Sequence, residues 1–552
     1  MERGLSVGAL ECRPVVSRET QPLNIAVSQP TYSPAWGTGK YRHLLIPSFS
    51  DCFFVAVLVW LFVAGASGWK ALLMDGDTGW HIRAGQYILD HGVIPRQDLF
   101  SYSKPGAPWF AWEWLSDVVL ALLFGLAGLK GVVLFAGVLI AAISTIVLRY
   151  TLWLGANSLT ALVITLLAVG SSSMHFLARP HLFTLLLLPI CLWLVQYDRI
   201  RRTGWVWILV PLTALWANLH GGFMVLLVCL GLLVVGCAIE SRMRASGGSS
   251  TGRYLALLSA CCAVTVLNPY GVHLHEHIWQ YLRSDWIRNL VQEFQAPTFR
   301  NEGQLQFEVL LILGLLTAGV LLLRGKITET LWLLFLAHSS LTSVRHAPLY
   351  ALVAAPLLAS VLSGWCKRNA MLAGVRSSGR ILFQLGEDLR PGFMRTSLWL
   401  GTPVLALALT NAPLAWPRDF PPEAFPTALI KRHERLLSTG RVFTSDQWGD
   451  YLIYLYYPKQ KVFFDGRSDF YGEGLGKQYL ALLEGNRRAL SIIHEHRFDV
   501  MLLPAEWPLA DLLKREPGWR VVENGKQAVL FAARGTNPEI ARESKPLPGL
   551  MN

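Results

Sequence analysis

Asp75-Gly-Asp-Thr-Gly-Trp-His-Ile-Arg-Ala-Gly-Gln-Tyr-Ile-Leu-Asp-His-Gly92 follows directly on the first long apolar run of the chain. Two acidic side chains thus stand where a transmembrane helix leaves the bilayer, a costly place for unpaired charge. The amphipathic stretch behind them continues the same element along the membrane surface. Carboxylates at such a lip make functional sense where a pocket handles cations, protons or polar substrates, so the stretch predicts a membrane enzyme.

Outward from this stretch, composition sets the class. Of 552 residues, 53% are hydrophobic and 16% charged, which predicts a polytopic membrane protein. The formal charge of +12 does not mark a nucleic-acid partner, because Lys and Arg fall in short clusters between apolar runs and not on one face. They are read as orientation signals. Residues 1–44 carry Pro, Ser and Arg without an apolar h-region or a small-residue cleavage site, so a disordered cytoplasmic tail is expected there. Seven of the eight cysteines lie in or beside apolar runs and none follows residue 366. The C-terminal part therefore has no disulfide framework, and no CxxC spacing suggests zinc.

Runs of spanning or near-spanning length occur at about 47–68, 130–149, 157–174, 181–197, 203–219, 220–239, 254–268, 306–324, 328–343, 346–364 and 397–411, within a transmembrane domain of residues 45–411 whose first outer loop is 72–114. About eleven crossings are expected, in a range of roughly 10–13. The shorter run Leu115–Leu129, headed by Glu113 and Asp117, is either a twelfth span or a helix against the outer face. If it does not cross, the clusters Arg199/Arg201/Arg202, Arg242/Arg244, Arg324/Lys326 and Lys367 through Arg395 all face the cytoplasm, as the positive-inside rule requires. The polar islands then fall together on the outer side: Asp75-Gly-Asp77, Arg179-Pro-His181, Asn218-Leu-His-Gly-Gly222, Asn268-Pro-Tyr-Gly271, the 272–304 loop with Glu293, and Arg345-His346. Some polar residues occur at any helix rim. The convergence of carboxylate, imidazole, amide and guanidinium is what predicts one extracytoplasmic pocket.

From the Pro-rich linker at 412–422 onward, short β-like runs (442–444, 461–464, 499–503, 519–522, 528–531) alternate with helical ones. A small extracytoplasmic α/β domain is expected over 423–535, followed by a tail at 536–552. The Gly-rich patch 246–252 lacks GxxxxGK[ST] and is a loop, not a phosphate cradle.

An inside-to-outside first helix, an acidic motif in the first outer loop, an amphipathic helix and many further spans resemble the GT-C class of glycosyltransferases, which use lipid-phosphate-linked sugars. Within it the pattern is similar to the bacterial dolichyl-phosphate-mannose mannosyltransferase and aminoarabinose transferase type: an acidic residue, an aromatic a few positions on, Ala or Gly on the next turns, then Gly. Asp77, Trp80 or His81, Ala84, Gly85 and Gly92 fit that order, which makes Asp77 a better match than Asp75. The blocks Asp77-Thr-Gly-Trp-His-Ile82, Pro95-Arg-Gln-Asp-Leu-Phe-Ser101, Glu113-Trp-Leu-Ser116, Arg179-Pro-His181, Asn218-Leu-His-Gly-Gly222 and Phe464-Asp-Gly-Arg-Ser-Asp-Phe-Tyr-Gly472 are similar to those of uncharacterised bacterial membrane proteins, over most of residues 70–535. The Pro-Pro-Leu element common after the first loop in mannosyltransferases is absent, and Ala107-Pro-Trp-Phe-Ala-Trp-Glu-Trp-Leu115 stands in its region.

The resemblance implies a chemistry with clear demands. Sugar leaves a polyprenyl phosphate as an oxocarbenium-like species while an acceptor hydroxyl or amine attacks, so one carboxylate must take the acceptor proton. Asp77 is the expected base, with Asp75 beside it. Arg179 and Arg345 are the expected clamps for the leaving phosphate, with His181, His220 and His346 as hydrogen-bond donors and Trp80, His81 and Glu293 completing the substrate site. Both arginines also have a plain role as snorkelling anchors, and the histidines one as packed rim residues. Trp109-Phe-Ala-Trp-Glu-Trp114 can stack on sugar rings but is expected in the interfacial belt, and Asp465-Gly-Arg467-Ser-Asp469 either faces the pocket or braces its own loops. Asp75 and Asp77, with Glu293 or Glu113, can bind Mg²⁺ or Mn²⁺; the residues leave the cofactor open. The implied partners are the polyprenyl-phosphate sugar donor, a lipid, glycan or protein acceptor and the membrane, with no nucleic acid. The implied location is the bacterial inner membrane, active site and C-terminal domain outside the cytoplasm. Two rivals are a non-catalytic membrane assembly protein and a lipid or solute transporter. A transporter would carry ionisable residues near mid-bilayer, whereas these spans are nearly charge-free.

Overall fold

Each apolar run folds as helix where its own end signals allow. In the computed structural model, residues 46–535 are described except 65–67, 245–249, 301–303, 396, 398, 400 and 410–415; the expected tails and the first part of the linker lie outside the described residues. Helix α1 (Phe49–Val59) starts at a capping box in which the Ser48 hydroxyl accepts from Asp51 N–H and Asp51 reaches back to Ser48 N–H, satisfying two otherwise orphaned donors. There follow α2 (Asp77–His91), α3 (Trp114–Trp153), α4 (Ser158–Ser172), α5 (His181–Arg201), α6 (Leu209–Leu219), α7 (Phe223–Arg244), α8 (Thr251–Val264), α9 (His273–Arg283), α10 (Asp285–Leu290), α11 (Leu305–Leu323), α12 (Ile327–Thr342), α13 (Ala347–Leu372), α14 (Ser378–Met394) and α15 (Gly401–Leu409).

Among the described residues six helices are long and apolar enough to cross a membrane: 114–153, 158–175, 181–201, 223–243, 305–323 and 344–372. Three shorter apolar helices, Phe49–Val63, Gly204–Leu219 and Thr251–Val264, accompany them. This is a multi-pass membrane protein, with a crossing number not fixed by helix length alone. Helix α3 contains the Leu115–Leu129 run and the next one together. Its 40 residues would run about 60 Å unbroken, roughly twice the hydrocarbon thickness. The backbone instead leaves helical geometry at Ala127 and at Gly128, where φ is 62°, a value glycine adopts without penalty. The expected division between the 115–129 run and the next span is therefore real.

The C-terminal part comprises α16 (Thr427–Arg432), α17 (Glu434–Thr439), β1 (Val442–Thr444), α18 (Asp446–Tyr456), α19 (Ser468–Glu484), α20 (Arg487–His496), β2 (Val500–Pro504), α21 (Pro508–Arg515), β3 (Trp519–Asn524) and β4 (Ala528–Ala533). The strands form one sheet in the order β1-β2-β4-β3, with β1 parallel to β2 and the other pairs antiparallel. Four of the five expected strands are present. The fifth, 461–464, leaves the sheet: Val462 N–H donates to the Phe100 carbonyl and Tyr102 N–H to the Val462 carbonyl, at 2.9 and 3.0 Å. An extended segment has taken its backbone partner from the loop at 72–114.

That strap is one of several ties holding the C-terminal part onto the 72–114 loop. In a second, α2 meets α18 through glycine: a Cβ on Gly79 would stand 2.8 Å from Tyr454 Cβ and 2.9 Å from the Asp450 carbonyl oxygen, so only hydrogen lets the backbones approach this closely. A third is Arg467, which pairs with Asp465 at 2.7 Å and with Asp98 of the loop at 2.8 Å while stacked among Phe100, Trp109 and Phe470 at 4.7–4.9 Å. A single apolar core continues from the helices into the sheet.

Candidate active site

Asp75 starts the site by starting a helix. Its Oδ1 accepts the Asp77 N–H at 2.9 Å, filling one of the donors that the first turn of α2 leaves unbonded. Gly76 N–H donates to Gln447 Oε1 at 2.7 Å, and Thr78 Oγ1 donates to the Ala178 carbonyl at 3.1 Å. The acidic turn is thereby held between α18 and the turn that opens α5. From that second turn Arg179 reaches three carboxylates at once: Asp75 at 2.8 Å, Asp77 at 2.6 Å and Glu293 at 2.8 Å. Ser343 Oγ donates to the Glu293 carbonyl at 2.9 Å, tying the 272–304 loop to the start of α13 and bringing in Arg345.

Arg345 is placed differently. Its Nη1 donates to the Tyr281 hydroxyl at 3.3 Å and its guanidinium lies 4.6 Å from the centre of the Phe294 ring. Among the described residues it joins no salt bridge, and it borders an open space. That space is a cavity of about 220 Å³ lined by Asp77, Trp80, His81, Glu113, Arg179 and Arg345 among others, room for roughly seven waters at liquid density or one compact polar group. At its floor His81 Nδ1 lies 2.6 Å from Asp117 Oδ1. Gly222 N–H and the Thr184 hydroxyl both reach His220 Nδ1, at 2.9 and 2.8 Å. With Nδ1 accepting, the His220 proton is on Nε2, which faces Glu113 at 3.4 Å.

Burial sets the proton affinities here, and Arg179 corrects them. It pushes the Asp77 carboxyl up; Arg179 pulls it down, Asp75 and Glu293 push it up again, and the group settles at about 7. Burial raises Glu113 to about 8 against the pull of Arg179 and Arg345. It would raise Glu293 as well, but Arg179 and Arg345 outweigh it and hold that carboxyl below the ordinary range. Burial, with Arg179 beside His81 and Arg345 beside His220, keeps both imidazoles neutral. The site thus holds a base poised near neutrality, a neutral acid, neutral imidazoles and a guanidinium with free donors.

No family model matches the chain, and no curated protein matches it in sequence. Solved structures do. The apo oligosaccharyltransferase of Archaeoglobus fulgidus aligns with 85% of this chain and 70% of its own, at 12% identity and a TM-score of 0.50. The oligosaccharyltransferase AglB of the same organism, solved with an inhibitory peptide and a dolichol-phosphate, aligns with 91% of this chain and 75% of its own, at 12% identity and a TM-score of 0.52. The fold is of the GT-C type. ArnT from Cupriavidus metallidurans bound to undecaprenyl phosphate also aligns, over 88% of this chain and 98% of its own at 14% identity, with a TM-score of 0.39 that carries no weight for the fold.

The GT-C frame brings nine of the ten expected residues to one cavity: Asp77, Trp80, His81, Arg179, His181, His220, Glu293, Arg345 and His346. Asp75 is the exception, a helix cap and a partner of Arg179 that does not line the space. Two expectations change. Arg179 is already engaged, meeting three carboxylates through its two terminal nitrogens, so a phosphate would share it with them. Trp109 and Trp112 do not form an outward belt: both line the cavity, since the strap at 461–464 folds their loop beneath the C-terminal part. Of the carboxylates proposed for Mg²⁺ or Mn²⁺, Asp75, Asp77 and Glu293 converge on the Arg179 guanidinium, and Glu113 faces His81 and His220. Among the described residues no group of three or more His, Cys, Asp or Glu is arranged to hold a metal ion. This donor set does not fit a resident cation, and no step is assigned to one. Asp117 and Asp450 escaped the sequence-based site. A lone acid within a long apolar helix is a legible signal for Asp117; Asp450 carries none.

Proposed function

We propose that this protein is a membrane glycosyltransferase that moves a sugar from a polyprenyl-phosphate donor to an acceptor at the extracytoplasmic face, with Asp77 as the base. The observation that supports this most is that Asp77 stands beside Arg179 in a cavity it shares with the unpaired guanidinium of Arg345. The base takes the proton of an acceptor hydroxyl or amine as that group attacks the anomeric carbon. Arg345 receives the phosphate that departs with its electron pair, since a fork of free N–H donors matches phosphate oxygens and strengthens as charge develops there. Arg179 keeps Asp77 and Glu293 in place. The lipid-linked donor and the kinds of acceptor are inferred from the ligands named for the fold's solved neighbours, and the outward face from the Lys and Arg clusters. A bacterial inner membrane remains the proposed location.

The test is transfer from a synthetic polyprenyl-phosphate sugar in proteoliposomes, with mass spectrometry of co-purified lipid to identify the donor. No transfer from any such donor, together with no lipid phosphate retained, would favour an assembly protein. Arg345→Ala should weaken donor binding by about tenfold to a hundredfold, the worth of a charge-assisted hydrogen bond, with little effect on thermal unfolding. Unchanged donor affinity would make Arg345 an anchor. Because Asp77 must be ionised to act and burial has raised it to about 7, kcat/KM should fall about tenfold per pH unit below that value and level off above it. A profile flat from pH 5 to 8 would remove Asp77 as the titrating base.

A further inference from the structure

Asp450 belongs to the C-terminal part, hundreds of residues from Asp77, and is fully buried. Its Oδ1 accepts the Gly466 N–H at 3.0 Å. Its Oδ2 and the Asp77 Oδ1 are both buried without a donor among the described residues. These two orphaned oxygens flank the same point: a Cβ placed on Gly466 would collide with Asp77 Oδ1 and lie 2.9 Å from Asp450 Oδ2. Two facing acceptors are mutually repulsive unless one of them carries a proton.

We propose that Asp450 is a positioning residue for the catalytic base, a neutral carboxyl whose Oδ2–H donates to Asp77 Oδ1 and so fixes the carboxylate between Asp450 and Arg179. The surroundings decide which partner holds the proton. Asp77 has the Arg179 guanidinium 2.6 Å from its other oxygen, which favours the ionised form. Among the described residues Asp450 has no such partner. It faces Asp77 from α2, Asp465 from the segment before α19 and Asp446 from its own helix, with the Tyr479 hydroxyl of α19 nearby; Arg467 is paired with Asp465 and Asp98. More distant charges on Asp77 are Asp75 and Glu293, both tied to Arg179. Burial and the acidic neighbours push the Asp450 carboxyl well above its ordinary range, in keeping with the geometry. Each carboxylate oxygen accepts more than one hydrogen bond, so Asp77 keeps a lone pair for the acceptor proton.

The inference rests on Asp77 as the base, and the experiment separates the two. Asp450→Ala, which removes the donor, should lower kcat by about tenfold to a hundredfold at unchanged KM for the lipid donor. Asp450→Asn, which restores an N–H donor of the same reach, should recover most of that loss. A kcat in Asp450→Ala equal to that of the unmutated protein, or an Asp450→Asn variant as slow as Asp450→Ala, overturns the proposal. Infrared difference spectra at pH 9, where Asp77 is ionised, read the pair without any turnover: Asp450→Asn should lose the C=O stretch of one protonated carboxyl, and Asp77→Asn should shift that band without removing it. If Asp77→Asn still transfers sugar, the base assignment falls while the infrared band still decides the carboxyl pair. No band lost in Asp450→Asn overturns the inference whatever the activities.

Discussion

Asp77→Asn is expected to lower sugar transfer by about 10²–10⁴-fold, the usual contribution of a positioned general base, while the protein still folds. The amide is nearly isosteric with the carboxylate and retains an acceptor for Arg179 and a group able to meet Asp450. It takes up no proton at working pH. The neighbouring acids are poor substitutes: Asp75 caps α2 and is bound to Arg179, and Glu113, raised to about 8 by burial, is largely protonated at neutrality. The check is the initial rate with a polyprenyl-phosphate sugar, beside size-exclusion and thermal-unfolding profiles matching the unmutated protein. A full rate in the variant would take Asp77 out of the mechanism.

Arg179→Ala carries the largest expected loss of stability. One guanidinium, itself mostly buried, meets Asp75, Asp77 and Glu293 within 2.8 Å, and its removal leaves three crowded carboxylates with only Arg345 acting on Glu293 as counter-charge. Breaking a buried ion pair from one side costs about 3–5 kcal/mol, because the remaining charge is stranded. That exceeds anything expected from losing an exposed anchor. The pH dependence follows from Glu293, whose native proton affinity is depressed. Its pairing contributes stability above the ordinary carboxylate range and loses it as pH falls through the lowered native value. The gap between variant and unmutated protein should therefore be widest near neutrality and shrink in acid. Thermal unfolding in detergent from pH 2 to pH 8 measures it; equal unfolding temperatures at pH 7 would return Arg179 to the role of a snorkelling anchor.

Local chemistry made much of this legible in advance. The amphipathic stretch behind Asp77 forms α2 and ends at Gly92, where φ is 67°, because helical spacing and a left-handed glycine cap are properties of neighbouring residues. Polar rim residues from five of the six expected islands share one cavity, with 268–271 not among its lining, since each of those hairpins returns its turn to the same side of the apolar layer. The strap at 461–464 was misassigned for a physical reason: alternation shows that a segment is extended, not which edge it will pair with. Trp109 and Trp112 were misplaced in the same way, because an aromatic side chain suits a membrane interface and a closed cavity equally well.

Membrane class, helix positions and the identity of the acidic turn were determined by the sequence itself, because apolar run length, helix ends and charge beside a run all act over a few residues. Only tertiary structure decided the partners. Arg179 became an organiser of carboxylates and Arg345 the open cation, and Gly76 met Gln447 across 371 positions, carrying Asp450 to Asp77. Pairings of that kind depend on which backbones can approach closely and which buried charges must then be matched, and both are set by the packed whole.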